Sequence, residues 1–171
     1  NLHSFPTRPS SDLDFLEKET LEKMGLALKN RGPDEEGMFI CGNKGFGIER
    51  LSIVDIKCGH QPYYSEDRKI VAVFNGEIYN YKEIREQFVG YHFSSNSDGE
   101  VIIPLYKKYG IDFVNHIDGM FAIAIIDTLS DTLILARDRV GKKPLFYYHD
   151  GSNFYFASEI KSIFKGIGKI L

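Results

Sequence analysis

A chain of 171 residues, 43% hydrophobic and 26% charged, can bury one sizeable core but is short for two. Its 21 Lys and Arg against 24 Asp and Glu give a net charge of -3 without long single-sign blocks, so no basic stripe points to nucleic acid or an anionic membrane as partner. No run approaches the roughly 20 apolar residues of a membrane span, the N-terminus lacks a secretory apolar core, and Cys41 and Cys58 have neither CxxC nor His spacing. The expectation is a cytoplasmic domain with reduced thiols and no metal site.

Residues 1–12 hold Pro6 and Pro9 without periodicity and read as an irregular lead-in, a leader foreign to the domain expected over 13–171. Leu13 to Asn30 predicts a helix, with Leu16, Leu21, Met24, Leu26 and Leu28 at spacings that form one face and Gly32-Pro33 as a stop. Met38–Cys41 and Gly45–Glu49 predict strands joined by a turn at Gly42-Asn43-Lys44. A Gly/Pro/Ser/Asp-rich loop from Cys58 to Lys69 leads into an apolar run ending at Phe74. Tyr81–Val89 and Glu100–Tyr109 predict helices, the second capped by Gly110. The last third predicts an antiparallel meander: Met120–Asp127, Thr132–Arg137, Leu145–His149 and Phe154–Ala157, punctuated by Ser130-Asp131, Gly141-Lys142-Lys143 and Asp150-Gly151, then a short helix over Glu159–Lys165. Helices inserted among such strands fit an α+β fold of two antiparallel sheets covered by helices better than an alternating parallel order.

The junction Phe74-Asn75-Gly76-Glu77 breaks an apolar strand with an amide, a glycine and a carboxylate. A strand holds its terminal residues rigidly, so the Asn75 amide and a closely approachable Gly76 N–H can serve as two donors to an oxyanion. The same dipeptide is also a common turn signal, which leaves a plain strand-to-turn reading open. Arg50 offers a bidentate fork for a carboxylate, and Glu77 and Asp98 offer carboxylates for an ammonium. Together these parts suit a free amino acid with a side-chain amide. Singly, Arg50 also fits an ordinary surface arginine, and Asp98 fits a helix N-cap.

The segments Arg31-Gly32-Pro33-Asp34, Arg50 to Asp55, Gly59-His60-Gln61-Pro62, Asn75 to Tyr81, Ser97 to Ile102, Gly119 to Ala122, Ala136 to Gly141 with Lys143-Pro144-Leu145, and Phe156 to Lys161 follow one another at compatible spacing. In that order they resemble the glutamine-hydrolysing domain of class II glutamine amidotransferases, in the asparagine synthetase branch. The resemblance implies an N-terminal-nucleophile hydrolase fold, a four-layer αββα sandwich of two antiparallel sheets. It implies a glutamine site in which Asn75 and Gly76 form the oxyanion hole, Arg50 binds the carboxylate, Glu77 and Asp98 bind the ammonium, and Leu51, Ser52, Ile53 and Val54 line the pocket. The nucleophile would be a cysteine at the mature N-terminus with its own α-amine as base, apt because that amine has a pKa near 7.7–8.0. Released ammonia would pass to a C-terminal synthetase domain of the same polypeptide, which uses ATP and Mg to amidate aspartate; the glutaminase part itself uses no cofactor.

Two departures stand out. Position 1 is Asn where the family opens with Cys-Gly-Ile, which the leader explains, or else a pseudo-glutaminase that binds without hydrolysing. Ile48 stands where many relatives have His, and packs as a strand residue. Arg137, Asp138 and Arg139 read as a structural ion network around Gly141, and Lys142-Lys143 as a solvated turn. His60, His92, His116 and His149 have no metal-ligand spacing. Another class II amidotransferase, and a glutamine-sensing domain, are the alternatives, and a homodimer is left open.

Overall fold

In the computed structural model of the chain, residues 2–6, 16–29, 35–50 and 60–168 are described, with 2–6, 35, 36, 49 and 50 described at the level of backbone. They form two units, one of residues 2–6 and 60–143, the other of 16–29, 35–50 and 144–168.

The first unit is built on β-branched runs that favour extended backbone. Strands β1 (Leu2–Pro6), β4 (Tyr63–Tyr64), β5 (Ile70–Ile78), β6 (Gly119–Asp127) and β7 (Thr132–Arg137) form an antiparallel sheet in the order β1-β7-β6-β5-β4, β2 and β3 lying in the second unit. The predicted meander is therefore present, with β5, β6 and β7 at its centre. The lead-in, expected to be irregular, is not irregular throughout: β1 runs along β7 with Leu2 opposite Ala136 and Pro6 opposite Thr132. Proline is tolerated there because an edge strand needs a donor on one side only. Residue 1 and residues 7–12 of that expectation lie outside the described residues.

One face of the sheet carries Ile70, Ala72, Phe74 and Ile78 of β5 against helix α2 (Tyr81–Glu86), a 3₁₀ turn (Asp98–Val101) and helix α3 (Ile102–Tyr109), burying Ile84, Val101, Ile102, Ile103, Leu105 and Phe113. α3 stops at Gly110, whose φ of 58° suits glycine. A further 3₁₀ segment, Gly110–His116, was not predicted. Asp127 closes the β6–β7 turn by accepting from the Leu129 and Ser130 N–H groups, and takes the Tyr106 hydroxyl at 3.0 Å. Burial, then the bond to Asp127, pushes the Tyr106 phenol up to about 12, so it acts as a donor.

In the second unit helix α1 (Lys18–Leu26) is shorter than the stretch predicted over 13–30 and lies on the hairpin of β2 (Glu35–Cys41) and β3 (Lys44–Arg50). Gly45 makes that contact close, since a Cβ there would sit 2.7 Å from Leu16 Cδ2 and 3.0 Å from Leu21 Cδ1. A second hairpin, β8 (Phe146–His149) and β9 (Phe154–Ala157), precedes α4 (Ile160–Gly166), which is tied to α1 by Ser162 Oγ donating to Met24 O at 2.9 Å. The fold is α+β and its strands pair antiparallel. Among the described residues no helix is long and apolar enough to cross a membrane.

Candidate functional site

The predicted strand does not end at Phe74. Pairing with β6 carries β5 through Asn75, Gly76 and Glu77 to Ile78, with Gly76 opposite Phe121 and Ile78 opposite Gly119, which excludes the Asn-Gly turn reading. Tertiary pairing overrides the local turn preference because this end of the ladder is fitted to glycine on both strands. A Cβ on Gly76, at φ 154°, would lie 2.8 Å from Phe121 Cα and overlap the Met120 carbonyl, and one on Gly119 would overlap the Glu77 carbonyl.

Strand alternation places Asn75 and Glu77 on the face away from α2 and α3, and both are exposed. Among the described residues the Asn75 carboxamide has no hydrogen-bond partner, so its donors are available to a ligand. Alternation also governs the backbone. Ile70, Phe74 and Ile78 turn their N–H groups to the outer edge of β5, where they donate to Ser65 Oγ (2.9 Å), Gln61 Oε1 (2.7 Å) and Asp98 Oδ2 (2.8 Å). Gly76 belongs to the same alternate set and meets no such side chain among the described residues, which leaves its N–H between the Gln61 and Asp98 clamps.

Asp98 is 6% exposed, and its carboxyl is pushed above the usual carboxylate range by burial. The N–H groups of Ile78, Gly99 and Asp98 itself pull it back, and repulsion from Glu77 adds to the upward shift. Asp98 is not the N-cap; Ser97 occupies that position and makes no capping bond, its Oγ instead lying 2.7 Å from Tyr63 Oη. Gly99 sits under the Tyr63 ring, where a Cβ would come within 2.6 Å of Cε2. Arg85 Nη2 donates to the carbonyls of Ser95 (2.7 Å) and Ser97 (2.9 Å), with its guanidinium over the Phe93 ring, and so fixes the loop that delivers Asp98.

Asn75, Gly76, Glu77 and Asp98 are therefore brought together. Arg50 closes β3 opposite Glu35, while its side chain and Leu51, Ser52, Ile53 and Val54 lie outside the described residues, as do Arg31 to Asp34. The ion network expected at residues 137–139 is a correction. Arg137 donates Nε to Lys143 O and Nη2 to Gly141 O, both at 2.6 Å, and Asp138 accepts from the backbone of Phe121, Lys142 and Lys143. Burial alone would raise the Asp138 carboxyl, but the Lys142, Lys143, Phe121 and Val140 N–H groups hold it below the usual range. Lys142 is exposed, as a solvated turn requires.

Gln61 and Asn80 lie in segments that carry the family resemblance, but the sequence assigned neither a role. Gln61 clamps Phe74, and Asn80 bridges His116 O and the Asp118 N–H at 3.0 and 2.9 Å. Each lies in a segment rich in polar residues next to an apolar run, a signal of position without a partner. A cavity of about 250 Å³, lined by His60, Pro62, Tyr64, Tyr91, His92 and Ile103 among others, opens beside Tyr63 and Glu100, which bond to Ser97 and Ser95. Among the described residues no cluster of His, Cys, Asp or Glu can hold a metal ion.

Residues 10–169 match the model of a family described as a glutamine amidotransferase domain. The chain is 49% identical over 144 residues to asparagine synthetase [glutamine-hydrolyzing] 2 of Bacillus subtilis, covering 84% of this chain and 19% of that protein. It is 42% identical over 165 residues to putative asparagine synthetase [glutamine-hydrolyzing] 2 of Methanocaldococcus jannaschii, covering 85% of this chain and 32% of that one. The chain thus spans between a fifth and a third of the length of these curated relatives. Its fold is similar to that of the B. subtilis glutamine phosphoribosylpyrophosphate amidotransferase complexed with ADP and GMP, at a TM-score of 0.73 and 21% identity over 90% of this chain and 42% of that chain.

Proposed function

This chain belongs to the glutamine amidotransferase domain family, and we propose that it binds glutamine at the outer end of β5 as the glutaminase part of a glutamine-hydrolysing asparagine synthetase. The observation that carries this reading is the make-up of that strand end: an Asn75 amide and a Gly76 N–H without partners among the described residues, next to two carboxylates, the exposed Glu77 and the buried Asp98 that accepts from the Ile78 N–H. Glutamine supplies what each lacks. Its carboxamide oxygen, and the oxyanion that develops on it, accepts from Asn75 and Gly76, while its ammonium neutralises Glu77 and Asp98. Arg50 receives the carboxylate, and the backbone of Leu51, Ser52, Ile53 and Val54 lines the side chain. Removing one oxyanion donor of this type costs on the order of 2.7–4 kcal/mol of barrier.

The attacking group in this reading is a thiol at a mature N-terminus, with its α-amine as base. Ammonia passes to a synthetase segment of the same polypeptide, and ATP with magnesium serves that segment rather than this domain. The relatives' identities of 49% and 42% support the synthetase branch over other amidotransferases. Two cysteines without disulfide spacing support a cytoplasmic setting.

Titration calorimetry with glutamine tests the assignment. The expected result is one site for glutamine, weakened at least tenfold in Asn75→Ala. A variant in which the family's Cys-led opening strand replaces residues 1–12 is expected to release ammonia. Absence of glutamine binding by the folded chain overturns the proposal.

A further inference from the structure

We propose that Gln61 is a positioning residue for this site: its side chain serves as a surrogate strand that fixes the backbone on which Asn75 and Gly76 are presented. The inference rests on the glutamine reading above.

The argument begins with register. In the β4–β5 ladder Tyr64 lies opposite Val71 and Tyr63 opposite Ala72, so the next two positions of that ladder set Pro62 against Val73 and Gln61 against Phe74. Val73 turns its own N–H and C=O toward β6, so Pro62 stands at a position that makes no ladder bond to β5, and the next pair of bonds falls at residue 61. β4 ends at Tyr63, and without a further partner the outer edge of β5 would be left unpaired from Phe74 onward. A side-chain carboxamide carries the same donor and acceptor as a peptide group. Gln61 uses both: Nε2 donates to Phe74 O at 2.9 Å, and Phe74 N donates to Oε1 at 2.7 Å. The amide is buried, with the residue 8% exposed, so these two bonds are shielded from water and their loss would orphan two backbone groups.

The consequence falls on the neighbouring residues. On the inner side Asn75 pairs with Ala122 of β6, and on the outer side Asp98 holds Ile78. Gln61 supplies the third point, on the residue just before Asn75. With Phe74 and Ile78 both pinned at the outer edge, the Gly76 N–H between them has a fixed direction and no internal acceptor among the described residues. Without Gln61 the strand is held from one side only at the approach to Asn75, and the two donors lose their common aim. Ser65 does the equivalent work at Ile70, far from the site, which shows that side-chain completion of this edge is a repeated local device.

The test uses isotope-labelled protein and two variants, Gln61→Leu, which removes both bonds, and Gln61→Glu, which keeps an acceptor for the Phe74 N–H and loses the donor to Phe74 O. In the wild type, added glutamine is expected to shift the Gly76 N–H and Asn75 side-chain signals together with those of Ile78 and Gly99, which report Asp98 and the ammonium end. In Gln61→Leu the Phe74 amide is expected to exchange at least tenfold faster, the Gly76 and Asn75 responses to disappear, and the Ile78 and Gly99 responses to persist, with Gln61→Glu intermediate. If Gln61→Leu does not fold, Gln61→Glu is read alone by the same criteria. Unchanged Gly76 and Asn75 responses, or a loss shared equally by Ile78 and Gly99, overturn the proposal, because the second pattern marks general loosening. If the wild type gives no response to glutamine, the glutamine reading fails. The positioning role is then decided by exchange: acceleration confined to Phe74, Asn75 and Gly76 upholds it, and uniform or unchanged exchange overturns it.

Discussion

Two polar clusters flank the central strands, and they treat their hydrogen-bonding capacity in opposite ways. At residues 137–143 the Arg137 guanidinium and the Asp138 carboxylate are engaged by the backbone of the same turn and of Phe121. At the outer end of β5 engagement is uneven: the Asp98 carboxyl accepts from the N–H groups of Ile78, Gly99 and its own residue, while the Asn75 carboxamide is exposed and without a partner among the described residues. The direction of the carboxyl shifts records the difference, Asp138 lying below the usual range and Asp98 above it. Both clusters come from segments that carry the family resemblance. What separates scaffold from site is whether the protein itself satisfies the charge it buries.

The largest effect should follow from destroying the close approach that both strands share at the site. Gly76→Ala puts a methyl group into the Met120 carbonyl at a backbone angle that alanine disfavours, and is expected to cost roughly 4 kcal/mol in urea unfolding or to prevent folding. Asp138→Ala comes next, at about 3 kcal/mol, since it strips acceptors from the buried Phe121 N–H and the part-buried N–H groups of Lys142 and Lys143. Because the Asp138 carboxyl is held below its unfolded value, its stabilisation is present above that value and lost as pH falls through the folded one. The gap between wild type and Asp138→Ala should therefore narrow in acid.

Asp98→Asn sharpens the contrast with a small effect of opposite sign. Burial raises the Asp98 carboxyl, so its ionised form costs stability once pH exceeds the raised value. The asparagine variant should melt at or slightly above the wild-type temperature at neutral pH, by under about 1 kcal/mol, and this advantage should vanish as pH falls through that value. Glutamine affinity should move the other way, dropping at least tenfold in the calorimeter. A variant that both melts early and binds normally would contradict the division between the two clusters.

Periodicity and turn chemistry located most elements of the fold. The hairpin at Gly42-Asn43, the strand Thr132–Arg137, the strand Phe154–Ala157 and the glycine stop at Gly110 all follow from local preferences that the tertiary fold reinforces. The strand over Leu2–Pro6 and the two-residue β4 were not legible, because a short edge strand is defined by its neighbour rather than by a period of its own. Within the site, Asn75, Gly76, Glu77 and Asp98 were found from residue type and motif, whereas Gln61 was not.

By itself the sequence determined which groups were on hand: an amide, a glycine and two carboxylates, placed at the ends of elements whose type the apolar pattern dictates. Only the tertiary structure decided that Asn75-Gly76 continues a strand instead of turning, that Asp98 reaches a backbone N–H 20 residues away, and that a side-chain amide completes the edge beyond the end of β4. Those choices depend on which backbone donors remain unsatisfied once the sheet is assembled, and that quantity does not exist in the chain before it folds.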